Sequence, residues 1–213
     1  GSPGHVLVRV ANEGVLLAVG EPTMAQRIGL EPTVIPVPSG MADIGVANGA
    51  IQVYEALRLL HALQAHPASA LSTRVEARLA AIPETERTRE VRQRVGQDVC
   101  REALLVLWQG RCAVTGIPFP SELLRASHAK PWAKSTDAER LDPFNGLLLA
   151  THFDALFDSG LIGFDELGQL IASPQLDPVV RSYFGIHEGS RLRSIAPGHL
   201  PYLAWHRDHV FRN

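Results

Sequence analysis

The spacing of apolar residues changes several times along the chain, and each change predicts an element. His5–Val10 and Val15–Val19 are short apolar runs joined by Ala-Asn-Glu-Gly, the pattern of a β-hairpin. Glu31–Gly40 carries Pro32, Pro36 and Pro38, which removes backbone donors and excludes helix, so it reads as an extended connector. From Ala47 or Gly49 to Pro67 the period becomes helical, with Ile51, Tyr54, Leu57, Leu60 or His61, and Leu63 on the apolar side. A second helix spans Ser69 to Ala81 and ends near Pro83. Thr85–Gln109 is a long helical stretch with a break expected near Gly96.

Beyond it the segments shorten. Leu123–Ser127 is an apolar strand-like run ending at His128, and Pro131 stops any helix there. Gly146–Ala150 is almost wholly apolar, as expected of a short strand buried under another element. After Thr151, a helix N-cap type, Phe153, Leu156 and Phe157 fall at helical spacing until Gly160 supplies a stop. Leu161–Phe164 and Leu170–Ala172 flank Asp165-Glu-Leu-Gly168 as a hairpin. Asp177–Phe184 and Leu200–Phe211 read as short helices. The class is α+β: a small mixed α/β N-terminal module over residues 1–84, and a second domain over 85–213 led by an arginine-rich helix.

Composition narrows the function classes. A 46% hydrophobic content supports a proper core, and a net charge of −2 gives no global pull toward nucleic acid. No apolar run approaches the length of a membrane span, and no secretory signal is evident. Two cysteines without a disulfide pattern suit a reducing cytoplasm. Gly1–Gly4 reads GSPG without Met and is expected to be a tag remnant. The N-terminal module has five arginines against eight acids up to Glu86 and carries no motif; His61 and His66 read as a solvated helix end rather than a metal pair. Arg87, Arg89, Arg92, Arg94 and Arg101 cluster ahead of an apolar helix end. Pairing with Glu86, Glu90 and Glu102 would make that a solvated face, but contact with DNA phosphates is the favoured reading. The only lysines, Lys130 and Lys134, flank a His-Pro-Trp element and join the expected nucleic-acid-binding set, Arg87, Arg89, Arg92, Arg94, Lys130 and Lys134. Arg181, Arg191 and Arg193 would extend that surface.

The chemistry concentrates between Arg111 and Ser173. His152, Asp154 and Asp158 are polar among apolar anchors, and Asp154 and Asp158 share a helix face because four residues bring side chains round again. A carboxylate and an imidazole at a helix start, opposite the strand-end His128, make a small metal site with a base beside it, suited to a hard cation. Each residue also has a plainer account. His128 is a satisfied structural histidine, Asp154 a carboxylate favoured by the helix dipole, His152 a bystander and Asp158 a backbone acceptor. His206 and His209 read as surface residues of the last helix.

Four ordered elements carry a resemblance. Cys112-Ala-Val-Thr-Gly116, Ala126-Ser-His-Ala-Lys-Pro-Trp132, Asn145-Gly-Leu-Leu-Leu149 and Phe157-Asp-Ser-Gly160 resemble the HNH nuclease family, the ββα-metal fold, in its restriction-type branch. The resemblance extends from about Arg87 to the C-terminus and implies hydrolysis of DNA phosphodiester bonds. It implies His128 as general base, Asn145 holding the loop that carries it, and Asp154 as ligand to one divalent ion, Mg2+ first or Mn2+, with His152 as a second ligand or phosphate contact. Double-strand cutting by one site per chain implies a homodimer. Two departures stand out. Ser127 occupies the position that many HNH enzymes give to a metal ligand before the base, and Cys100 and Cys112 alone are too few for the family's structural zinc. Ser127 also keeps open a second reading, a non-cleaving DNA-binding or partner-binding protein on an HNH scaffold.

Overall fold

The computed structural model describes residues 6–11, 14–20, 22–65, 68–84 and 88–213, with the side chains of 62–65, 68 and 69 left aside. The expected hairpin loop at Asn12–Glu13, the segment Gly1–Gly4 expected to be a tag remnant, His66 and Arg87 thus lie outside the described residues, as does the Leu63 side chain. The chain divides into two compact units, residues 1–65 with 196–198, and residues 66–195 with 199–213.

In the first unit, β1 (Val6–Ala11) and β2 (Gly14–Val19) form the expected antiparallel pair. The short helix α1 (Met24–Arg27) follows, and β3 (Asp43–Ala47) adds to the free edge of β2. That third strand was not legible, because Gly45 interrupts its apolar run; pairing with β2 and a bridge between Glu31 and Val46 hold it. Helix α2 (Ala50–Ala65) corrects the expected apolar face: Ile51 and Tyr54 are exposed and Leu57 largely so, whereas Ala56, Leu59 and Leu60 are buried. A helix apolar on most sides offers several stripes, and the partner selects one of them.

The second unit begins with α3 (Ala68–Ala80), which packs Leu71, Val75 and Leu79 against Val99 and Ala103 of α4 (Arg89–Leu107), together with Leu141. This shared core places α3 with the second unit, away from the module that residues 1–84 were expected to form. Helix α4 is continuous through Gly96, contrary to the expected break. A Cβ at 96 would sit 2.7 Å from the Trp132 ring, so this glycine serves close packing of a loop on the helix.

Next come β4 (Leu124–His128), the capped turn of helix α5 (Asp137–Arg140), β5 (Gly146–Ala150) and α6 (Thr151–Asp158). Strands β4 and β5 pair antiparallel with His128 opposite Gly146 and Ser127 opposite Leu147. Every residue of β5 is buried, as its composition predicts, because α4 and α6 both pack against it. The Trp108 indole donates to the Gly146 carbonyl at 3.3 Å, and Phe153, Leu156 and Phe157 of α6 are buried on the other side.

The expected hairpin is β6 (Ile162–Phe164) with β7 (Leu170–Ala172), followed by α7 (Pro178–Tyr183) and α8 (Leu200–His209). Gly160, at φ 72, closes α6 where a Cβ would meet the Val210 carbonyl oxygen at 2.0 Å, which explains glycine at the end of Phe-Asp-Ser-Gly. His206 is not the surface residue expected: it is 2% exposed, stacked on Phe157 at 3.8 Å, with Nε2 donating to the Phe157 carbonyl at 2.9 Å. His209 is exposed and stacks on Trp205 instead. No helix of the described residues is long and apolar enough to cross a membrane.

Candidate active site

His128 ends β4 with its imidazole turned toward α4 and the loop that follows the strand. Nε2 lies 3.0 Å from the Arg140 carbonyl oxygen and 3.7 Å from the Cys100 sulfur, and Trp132 meets the ring edge-on at 5.5 Å. A carbonyl oxygen only accepts, so Nε2 carries the proton. Burial disfavours the imidazolium and lowers the pKa, with the Arg140 carbonyl opposing more weakly. The neutral ring therefore leaves Nδ1 with a free lone pair. Cys100 behind it stays a thiol, since burial, aided by the charge of Asp142, pushes its pKa up to about 12.

The loop that supplies the Arg140 carbonyl is pinned by Asn145, whose side chain is fully buried. Its Oδ1 accepts from the Lys130 amide at 2.8 Å, while Nδ2 donates to the Glu139 carbonyl at 3.0 Å, the Lys130 carbonyl at 3.2 Å and the Ser135 hydroxyl at 3.3 Å. One amide side chain thus fixes both ends of the 130–139 segment. Thr136 and Glu139 form a capping box on α5, and Lys130 pairs with Glu139 at 2.6 Å. Arg140 lies over Trp132 and donates from Nε to its carbonyl at 2.9 Å.

Ser127 precedes His128, and strand alternation sends it to the opposite face, toward α6. It is 2% exposed, and its hydroxyl donates to Asp158 Oδ1 at 3.2 Å. Asp154, one turn earlier, is near enough for the Ser127 hydroxyl to act on its carboxyl as well. Both carboxyls are raised above the ordinary range: Asp154 by burial and then by the charge of Asp158, Asp158 by burial, with Ser127 opposing in each case. Two carboxylates that repel one another beside a buried hydroxyl form an all-oxygen donor set, which fits a hard divalent cation. Among the described residues no group of three or more His, Cys, Asp and Glu side chains is arranged to hold a metal, and beside this carboxylate pair stands the Ser127 hydroxyl.

The structure therefore joins Asp154 to Asp158 and Ser127 on the α6 side, and brings to them neither His152 nor His128, whose ring lies on the α4 side. His152 stacks on Phe184 at 5.7 Å and an interplanar angle of 9°, packed also against Phe153. Residues two apart on a helix do not face each other. Arg125 connects the two sides of the ribbon. It lines an open cleft with Gln97, Asp98, Arg101, Ala126 and His128, and its charge helps hold the Asp154 carboxyl down.

The expected nucleic-acid contacts are scattered. Arg89 and Arg92 line a separate cleft with Trp132 and Arg140, where Arg92 pairs with Glu76 at 2.7 Å. Arg94 and Lys134 are exposed, Lys130 is tied to Glu139, and Arg87 is outside the described residues. Arg181, Arg191 and Arg193 each donate to loop carbonyls, those of Leu176 and Ser173, of Leu167, and of Trp108. Sequence reasoning passed over Arg125 and Cys100 and took Asp158 as structural. The i,i+4 spacing of Asp154 and Asp158, and the alternation that aims Ser127 at them, were the available signals.

No curated protein is similar enough to this chain to serve as a relative. Residues 112–165, running from Cys112 through β4, β5 and α6 to Asp165, match the family model described as HNH endonuclease, so this segment is similar to a nuclease domain of a class that acts on DNA and generally uses a divalent metal.

Proposed function

We propose that the protein is a metal-dependent DNA endonuclease in which His128 is the general base. The observation that supports this most is the bond between His128 Nε2 and the Arg140 carbonyl, which leaves Nδ1 of a neutral, partly buried imidazole as the proton acceptor at an open cleft. Nδ1 takes a proton from the attacking water as its oxygen bonds to phosphorus. The bond to the 3′-oxygen then breaks, and that oxygen leaves with a proton from solvent. The products are a 5′-phosphate and a 3′-hydroxyl.

Asn145 acts on the base indirectly, by fixing the peptide next to the Arg140 carbonyl that orients it. Asp154 and Asp158, with the Ser127 hydroxyl, would hold one divalent ion, Mg2+ or Mn2+, in place of the Asp154 and His152 pair read from sequence. When bound, that ion would supply charge stabilisation for phosphoryl oxygens reaching the α6 side of β4, the face opposite the His128 ring. General-base help contributes about 10²- to 10⁴-fold. By analogy with the branch that its motifs resemble, we place the activity in restriction-type defence, with the first unit setting the target.

The test is nicking of supercoiled plasmid by the parent and by His128→Ala, each with Mg2+, Mn2+ or a chelator. The expected result is metal-dependent nicking that falls at least about 10²-fold in the variant. Equal nicking by both proteins would reject His128 as the base, and absence of nicking by the parent under every metal condition would leave a non-cleaving DNA-binding protein on a nuclease scaffold.

A further inference from the structure

We propose that the cleft between α4 and β4 is the cradle for the DNA backbone, and that Arg101 and Arg125 grip the phosphates on either side of the one presented to His128. This rests on the nuclease reading above, and it replaces the forward arginines of α4 as the main phosphate contacts. The cleft is lined by Gln97, Asp98 and Arg101 from the helix and by Arg125, Ala126 and His128 from the strand.

What singles out these two arginines is that they share the His128 cleft and are held there by neutral partners. Arg101 donates to the Leu124 carbonyl at 2.6 Å and to the Ser121 carbonyl, and Arg125 donates to the carbonyls of Glu122 at 2.8 Å and Leu124 at 3.4 Å. Neutral oxygens hold both guanidinium groups in place, and no ion pair to a carboxylate involves either among the described residues. Several other arginines of this unit have their charge answered, Arg92 by Glu76, Arg140 by Asp137, Arg74 and Arg78 by Glu102, and Arg207 by Glu166, while Arg181, Arg191 and Arg193, which also donate to carbonyls, do not line this cleft.

A cation immobilised by neutral oxygens, with no carboxylate in ion-pair contact, is prepared for an incoming anion, because the side-chain ordering has already been done by the fold; Asp154 acts on Arg125 only through space. The cleft's single carboxylate, Asp98, leaves it net positive. With an overall charge of −2, the molecule has no broad attraction for DNA, so binding has to come from such a local arrangement.

The whole 213-residue chain tests this with a fluorescently labelled duplex in chelator, so that binding is read without cleavage, over a series of salt concentrations. Each phosphate contact contributes about 0.9 to the slope of log K against log salt. Arg125→Gln is expected to lower the slope by about that amount, and Arg125→Lys to restore it. Asp98→Asn is expected to bind several-fold more tightly at low salt, while Arg92→Gln, whose charge is already paired, keeps the parent slope. Thermal melting checks that each variant is folded. A parent slope in folded Arg125→Gln, or parent affinity in Asp98→Asn, would overturn the assignment. The nuclease reading fails separately, through equal plasmid nicking by parent and His128→Ala.

Discussion

At the scale of single residues, the site separates two kinds of perturbed group. His128 has its pKa lowered by burial, so it remains a neutral base to more acid pH than an ordinary imidazole near 6.5. The acid limb of the cleavage rate is therefore expected below that value at saturating metal, with little change between pH 7.5 and 6.5; a rate already halved at pH 6.5 would contradict the assignment. Asp154 and Asp158 are raised, and Asp154 is raised in part by Asp158 itself. A bound cation relieves that repulsion, so removing either carboxylate should act on metal affinity. Asp158→Asn is expected to shift the Mg2+ dependence of nicking by more than the ~10- to 100-fold that losing an outer-shell partner costs, while His128→Ala leaves the metal-induced rise in melting temperature intact. An unchanged Mg2+ requirement in both Asp154→Asn and Asp158→Asn would remove these carboxylates from the metal site.

At the scale of elements, two buried polar side chains tie the unit together, and each has a measurable cost. Asn145 fills four hydrogen bonds across the loop from β4 to β5. Asn145→Ala leaves the Lys130 amide without its side-chain partner, at about 1–3 kcal/mol for each group stranded, and loosens the peptide next to the Arg140 carbonyl that orients His128. Loss of cleavage should thus exceed the loss expected from stability alone in Asn145→Ala at temperatures where it is folded. His206 links α8 to the end of α6 as a neutral ring, its Nδ1 buried without a hydrogen-bond partner among the described residues. Burial pushes its pKa down to about 4, so the unfolded chain binds the extra proton first, and stability present above pH 6.5 is lost on the way to pH 4, by about 3 kcal/mol. His206→Gln keeps a donor for the Phe157 carbonyl without the titration, and its melting temperature should fall less between pH 7 and pH 5 than the parent's. These elements also mark what the sequence could reveal. The ordered motifs, the all-apolar β5 and the Phe153, Leu156, Phe157 spacing of α6 were legible because each reflects a local period or a backbone constraint. The burial of His206, the pairing of Cys100 with His128 and the turning away of His152 onto Phe184 were not, because each depends on an element distant in the chain.

At the scale of the molecule, every residue placed in the site and its cleft, from Gln97 to Asp158, belongs to the second unit, whose core runs from α3 and α4 to the buried leucines of β5. Chemistry and core are thus built from the same stretch of chain. The first unit has its own three-stranded sheet, in which β2 is buried over most of its length and β1 is largely exposed. If the first unit sets the target and the second cuts, the two properties are separable. A chain of residues 68–213 should unfold in one cooperative transition, because it retains the α3–α4 core and both faces of β5, and should nick plasmid in Mg2+ at a rate close to the parent's. It should also lose whatever preference the parent shows among plasmids differing in sequence or base modification. Cutting patterns mapped on several substrates decide between the outcomes: a folded fragment with the parent's pattern would remove targeting from the first unit, and a folded fragment without nicking would mean that the first unit completes the active site.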